Sequence, residues 1–196
     1  QIRLTPQRVV HGDVHAWGGT SDPAVPASIF PTTSDFGFTV GIPATGERAI
    51  SVASFVSRAT MPVKGAKALK AAKAVSEVLR EGGLSPFSSL GPTRIGDQRP
   101  DIAAPGQFIT AALAANSQLA RDSRLASRRD AKGHYITIQG TSMAAPFVAG
   151  VIALMLEREP RLDPTEVRQR LRATASRDES IGRVWHRGFG YGRIDV

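Results

Sequence analysis

Residues 135–156 read YITIQGTSMAAPFVAGVIALML, a stretch that joins two kinds of predicted secondary structure at one point. Tyr135 to Gln139 has the alternating character of a β-strand, whereas Ser142 to Arg158 is apolar over several helical turns. The pattern predicts a strand followed directly by a mostly buried helix. Ser142 is therefore expected in the first turn of that helix.

A serine at this position has a chemical environment suited to nucleophilic attack. The N–H groups of a first helical turn have no partner within the helix, and the helix dipole is positive there, so Ser142 would lie beside donors for a developing oxyanion. Small neighbours that let a substrate backbone approach stand at Gly140, Ala144 and Ala145. Pro146 is tolerated within a first turn. The alternative is that Ser142 or Thr141 serves only as the helix N-cap.

The segment from Gly140 to Leu156 resembles the serine segment of the subtilisin-like (subtilase) family, whose pattern is GTSMAxPxVAG followed by an apolar helix. The resemblance continues in IPATGERAISVA (42–53), SPFSSLGPTRIGDQRPDIAAPG (85–106) and the closing GYGRIDV (190–196), and it covers residues 41–196. Phe147 stands where many members have a histidine that is not catalytic. The resemblance implies a serine endopeptidase that acts on polypeptides, with Ser142 as its nucleophile.

The remaining patterns favour an α/β fold with a parallel sheet, of which this chain is expected to form the C-terminal half. Ala49 to Val56 is a β-branched apolar run typical of a buried strand, and a second apolar run spans 101–112. Asp163 to Glu166 (DPTE) combines an N-cap, a proline and a glutamate, which predicts a helix start. Residues 116–132 are polar and arginine-rich, which is typical of a loop or an exposed helix.

Two segments lie outside the family pattern. Residues 1–40 are a β-rich stretch, interpreted by analogy with some family members as the end of an inserted β-sandwich. Residues 61–83 form a helical insert in which apolar side chains recur at helical spacing with lysines opposite. This helix is interpreted as a surface helix, with a basic docking helix as the alternative.

The resemblance also implies a catalytic histidine and aspartate upstream of the serine, and an asparagine that donates to the oxyanion. None of His11, His15, His134 and His186 stands in an HGTH-like segment. Asn116 is the only asparagine, and it follows the FSSLGP segment, whereas the family residue precedes that segment. We therefore expect these groups on sequence before Gln1, in a missing N-terminal half that is a partner for this one, and we expect the chain alone to be inactive.

The composition of the chain excludes several other kinds of chemistry and binding partner. The 196 residues contain no cysteine, which excludes thiolate chemistry and disulfides. The net charge of +8 is spread along the chain, with arginines in 121–129 and 158–172 expected on solvated helix faces, so no nucleic-acid partner is predicted. We expect no apolar stretch to approach the roughly 18 residues that span a bilayer.

The sequence also bears on cofactors, cellular compartment and alternative functions. No carboxylates show calcium-ligand spacing, so no cofactor is identifiable, although the resemblance implies that calcium is common in the family. Secretion is likewise implied by the resemblance. Two other functions stay open: a non-catalytic subtilase-like scaffold or binding protein, and a basic interaction module built on the helix Lys64 to Lys73.

Overall fold

The computed structural model describes residues 37–61 and 79–195. The interpretations of residues 1–40 and 61–83 fall almost entirely outside these ranges and stay predictions. In chain order, the elements of the described residues are β1 (Val52–Phe55), β2 (Ile102–Pro105), β3 (Ile109–Ala112), α1 (Gln118–Arg121), a 3-10 helix (Ser123–Arg128), β4 (Tyr135–Ile138), α2 (Thr141–Arg158) and α3 (Pro164–Thr174).

The parallel sheet predicted from the apolar runs is present. β1 and β2 pair in parallel, with Val52 opposite Ile102 and Phe55 opposite Pro105. The chain near its end adds to the other edge of β2, because the Ala103 N–H donates to Gly192 O at 2.9 Å and the Ile194 N–H donates to Ala103 O at 2.8 Å. β2 is therefore enclosed on both edges, which agrees with its nearly complete burial.

A separate antiparallel hairpin carries the chain from β2 to the serine segment. β3 and β4 pair with Ile109 opposite Ile138, and the hydroxyls of Thr110 and Thr137 lie 2.8 Å apart across them. α1 and the 3-10 helix form the connection between the two strands, and neither contains a buried residue. The prediction of a loop or exposed helix over 116–132 is thus confirmed.

Helix α2 packs against the parallel sheet with one face only. Ala144 and Val148 are buried with Ile102 and Ala104 of β2, and α3 adds Val167 and Leu171 to the same core cluster. The expectation of a mostly buried helix was wrong, since exposed apolar side chains remain at Phe147 (42%), Leu154 (62%) and Leu156 (37%). The physical reason is that the sheet and α3 cover one side of α2, and no other described element covers the opposite side.

The expectation that no apolar stretch approaches the length of a membrane span was wrong for α2. Its 18 residues have a mean hydropathy of 1.3, so one helix among the described residues is long and apolar enough to cross a bilayer by length and composition alone. A helix at the core of an α/β domain passes the same test. The packing of α2 on β1 and β2 accounts for the apolar side chains on one face, whereas those on the opposite face are exposed among the described residues.

A buried carboxylate connects the sheet to α3. Asp101 is fully buried, and its Oδ2 accepts hydrogen bonds from the Ser51 N–H at 2.7 Å and from the Arg99 guanidinium. Its Oδ1 accepts from Arg172 and lies 3.8 Å from Arg168 Nε. The arginines of 158–172 were all expected on solvated helix faces. That expectation was wrong for Arg168 and Arg172, because both side chains turn inward towards Asp101.

The same arginines fix the segment that leads into β1. Arg99 donates to three backbone carbonyls, those of Gly46, Glu47 and Ala49. Arg168 donates to Glu47 O at 2.7 Å and to Ala49 O at 2.9 Å. Residues 46–49 contain no strand or helix, so these side-chain donors replace the hydrogen bonds that regular structure would supply.

The predicted start of α3 is present as a capping box. The Asp163 carboxylate accepts from the N–H groups of Thr165 and Glu166, and the Glu166 side chain accepts from the Asp163 N–H at 2.9 Å. The Glu166 N–H and then the Thr165 N–H hold the pKa of Asp163 below its usual value, because both donate to the charged form.

We expect Asp101→Asn to lower the free energy of unfolding by about 3–5 kcal/mol, because it leaves buried guanidinium groups without their counter-charge. Equilibrium urea unfolding measures the change. Asp122→Asn is the matched control, since it removes the carboxylate of the exposed pair with Arg124 and should change stability little. Equal losses in the two variants would contradict a special role for the buried cluster.

The capping box predicts a pH-dependent contribution to stability. The lowered pKa of Asp163 means that its contribution is fully present above the pKa of the unfolded chain and is lost as pH falls through the lower folded pKa. Asp163→Ala should therefore destabilise the protein at neutral pH, and the difference from wild type should shrink in acid. Asp163→Asn retains a capping oxygen and should cost less at neutral pH, but it also lacks the titrating carboxyl, so its difference from wild type should shrink in acid too. Differences that stayed constant as the pH fell would argue against this account.

Candidate active site

Ser142 is the second residue of α2 and is exposed to solvent. The N-cap is Gly140, with φ 151° and ψ 162°, and no side chain caps the helix. The alternative in which Ser142 or Thr141 acts as the N-cap is therefore wrong. Ser142 lies instead in the first turn, at the positive end of the helix dipole.

Two glycines hold the serine loop against the end of β2. The Gly140 N–H donates to Gly106 O at 3.0 Å. A Cβ on Gly106 would lie 2.3 Å from Ser54 Oγ and 2.8 Å from Gly140 O, so only glycine allows the two backbones to approach this closely. The end of the buried strand therefore sets where the serine helix begins.

A buried serine network brings the FSSLGP segment to the edge of β1. Ser54 Oγ lies 2.8 Å from Ser85 Oγ, and the Ser54 N–H donates to Ser88 Oγ at 3.0 Å. The Ser85 N–H donates to Ser54 O at 2.9 Å. These bonds place Ser88 and Ser89 along one wall of the space beside the serine helix.

A cleft of about 450 Å³ lies beside Ser142. Its walls come from residues 40–44, from the lead into β1, from the FSSLGP segment and from the start of α2; they include Val40, Ile42, Pro43, Val52, Ser88, Ser89, Thr141, Ser142 and Ala145. The lining is mainly apolar, and none of the described residues that form it is ionisable. The cleft thus offers a hydroxyl and backbone groups, and the described residues supply no proton acceptor to it.

The other candidate residues lie elsewhere. His186 is half-buried, and its Nδ1 accepts from the N–H groups of Gly188 and Phe189 at 3.0 and 3.2 Å. Burial lowers the pKa of His186. Neither His186 nor the exposed His134 lines the cleft, and Asn116 is exposed in the turn before α1.

His11 and His15 fall outside the described residues. Among the residues that the structure does describe, no group of three or more His, Cys, Asp or Glu side chains could hold a metal ion. These residues therefore supply no carboxylate cluster for the calcium that the resemblance implies.

Sequence reasoning missed one contact at the serine loop. Gln107, which follows the turn at Gly106, donates from Nε2 to Gln139 Oε1 at 2.6 Å. Gln139 directly precedes the N-cap of α2. The two glutamines are 32 positions apart, and no local pattern indicates that they meet.

The fold and the site together define the class: an α/β protein that presents a serine hydroxyl at the amino end of a helix packed on a parallel sheet, as serine hydrolases do. The chain belongs to the subtilase family, whose family model matches residues 33–192. The family expected from the serine segment is thereby confirmed.

Individual relatives agree with this assignment. The chain is 44% identical over 89 residues to the serine protease AprX of Bacillus subtilis (strain 168), a match that covers 44% of this chain and 19% of AprX. It is 33% identical over 154 residues to an uncharacterized protein of Aquifex aeolicus (strain VF5), covering 76% of this chain and 60% of that protein.

Solved structures show the same fold. The CspB protease of Clostridium perfringens aligns with a TM-score of 0.56 at 26% identity, covering 83% of this chain and 28% of CspB. Fervidolysin from Fervidobacterium pennivorans, a keratinolytic enzyme related to subtilisin, aligns with a TM-score of 0.52 at 26% identity, covering 78% of this chain and 19% of fervidolysin. The chain thus spans less than two thirds of each relative described.

We expect Gly106→Ala to lower both stability and the accessibility of the serine site, because the added methyl group would force β2 and the serine loop apart. Thermal unfolding and the rate at which a fluorophosphonate probe labels Ser142 in the complete protein measure the two effects. Gly150→Ala is the matched control: a Cβ there meets nothing within 4 Å, and alanine is favoured over glycine inside a helix by about 1 kcal/mol. If Gly106→Ala behaved like Gly150→Ala, the close approach would not be required.

Proposed function

We propose that this chain carries the nucleophile of a subtilisin-like serine endopeptidase and that Ser142 Oγ attacks the carbonyl carbon of a peptide bond. The observation that carries the proposal is the exposed Ser142 hydroxyl in the first turn of α2, beside an apolar cleft. Membership of the subtilase family supports the same reaction class.

In this proposal the amino end of α2 stabilises the charge that develops on the substrate. Attack by Ser142 Oγ converts the carbonyl oxygen into an oxyanion, and the free N–H groups of the first turn are donors within a positive dipole field. Collapse of the tetrahedral intermediate expels the amine and leaves an acyl-enzyme on Ser142. Water then releases the acyl group and restores the hydroxyl.

The proton of Ser142 requires a base that the described cleft does not contain. We propose that a histidine, its orienting aspartate and an oxyanion-binding asparagine come from another segment of the peptidase domain. Two features support this: the relatives extend well beyond the matched region, and α2 exposes Phe147, Leu154 and Leu156 on the side away from the sheet. That segment would cover these side chains and bring the imidazole to Ser142.

The substrate in this proposal is a polypeptide, because the family is one of proteases. Secretion belongs to the same proposal. A relative from Arabidopsis thaliana, 37% identical over 92 residues, is named CO(2)-response secreted protease.

Ser142→Ala in the complete protein is expected to abolish labelling by a fluorophosphonate probe and turnover of casein. Loss of the triad serine in subtilisin lowers kcat by about 2 × 10⁶, so the residual rate should be close to background. The melting temperature should change little, because the exposed hydroxyl does not cap the helix.

Thr174→Ala is the matched control, since it removes an exposed hydroxyl that does not line the cleft and should leave labelling in place. The 196-residue chain alone should label no faster than free serine, and addition of the remaining peptidase segment should restore labelling. A wild-type complete protein that failed to label would reject the endopeptidase proposal and favour the non-catalytic scaffold.

A further inference from the structure

The loop that presents Ser142 has little side-chain support of its own. Gly140 lacks a side chain and adopts φ 151°, a conformation that glycine reaches at low cost. No side chain caps α2, so the torsions at Gly140 are not fixed from within the helix start. The direction of the Ser142 hydroxyl therefore depends on how residues 139 and 140 are held from outside.

Two hydrogen bonds join these residues to the turn after β2. One is the backbone bond from the Gly140 N–H to Gly106 O at 3.0 Å. The other is the side-chain bond from Gln107 Nε2 to Gln139 Oε1 at 2.6 Å. The backbone bond is available to any sequence that keeps the two glycines, whereas the side-chain bond depends on the two glutamines.

The buried position of Gln107 is unfavourable for a polar side chain. Its side chain is 2% exposed, and its Oε1 is buried without a hydrogen-bond partner among the described residues. A buried acceptor without a partner destabilises the fold, and an apolar side chain of similar volume would remove that cost. Within residues 37–61 and 79–195, the bond to Gln139 is the one hydrogen bond that this side-chain amide makes.

We propose that Gln107 is a positioning residue for the nucleophile and that it acts through Gln139 to fix the loop ahead of Ser142. This inference rests on the proposed function, because it concerns how Ser142 is oriented for attack. Gln107 does not line the cleft, so its effect reaches substrate only through the loop. A misplacement of about 1 Å can lower a rate by about 10²-fold, so one buried hydrogen bond is sufficient to matter.

The test uses Gln107→Met in the complete protein, with the rate of fluorophosphonate labelling and the melting temperature as readouts. The substitution keeps the volume but removes both the bond to Gln139 and the unpartnered carbonyl. Labelling should slow by about tenfold, a fraction of the loss that a full ångström of misplacement brings. The melting temperature should stay the same or rise. A residue that serves only stability would not move the two readouts in opposite directions.

Gln139→Met removes the same bond from its exposed side and should slow labelling to the same extent. The double variant should be no slower than either single one, because both remove one interaction. Thr110→Val is the matched control: it breaks the neighbouring contact with Thr137 in the same hairpin and should lower the melting temperature without slowing labelling.

The outcomes separate the two proposals. Wild-type protein that does not label overturns the endopeptidase function itself. Wild-type protein that labels, with Gln107→Met labelling equally fast, overturns only the positioning role. That role is also overturned if Gln139→Met alone slows labelling, which would mean that Gln139 contacts the substrate directly. A fall in labelling that merely follows a fall in melting temperature would assign Gln107 to packing.

Discussion

The contact between Gly106 and Gly140 is the constraint on which the site depends. At this point a buried parallel strand ends and the serine helix begins, and the two backbones share a hydrogen bond of 3.0 Å. Because Gly106 has no Cβ, its backbone can approach Gly140 this closely, while Gly140 adopts φ 151° at the start of the helix. The position at which the serine helix begins is therefore set by the end of the buried strand β2.

Features that are decided by residues close together in the sequence could be predicted. The apolar run at Ala49–Val56 predicted β1, the strand-to-helix junction predicted Ser142 in the first turn of α2, and the DPTE segment predicted the start of α3. Each of these features is decided by residues within a few positions of one another. Periodicity and capping chemistry act over that range, which is why they could be predicted.

Features that depend on distant residues could not be predicted in this way. The pairing of β3 with β4 spans the long connection 113–134, and the contact between Gln107 and Gln139 follows from that register. The burial of α2 was overestimated because an apolar composition does not reveal which elements pack against each face of a helix. Arg168 and Arg172 look like surface residues until the fold brings a buried carboxylate beside them.

The hydrogen bonds from Arg99 to the carbonyls of residues 46–49 connect the buried ionic cluster to the cleft. Those carbonyls belong to the segment that continues into the cleft wall at Ala49 and Ile50. Arg168 of α3 donates hydrogen bonds to the same segment. The cleft wall and the buried ionic cluster behind it are thus joined through the same backbone carbonyls. A substitution at Arg168 in α3 would therefore act on the wall of the cleft without lying in it.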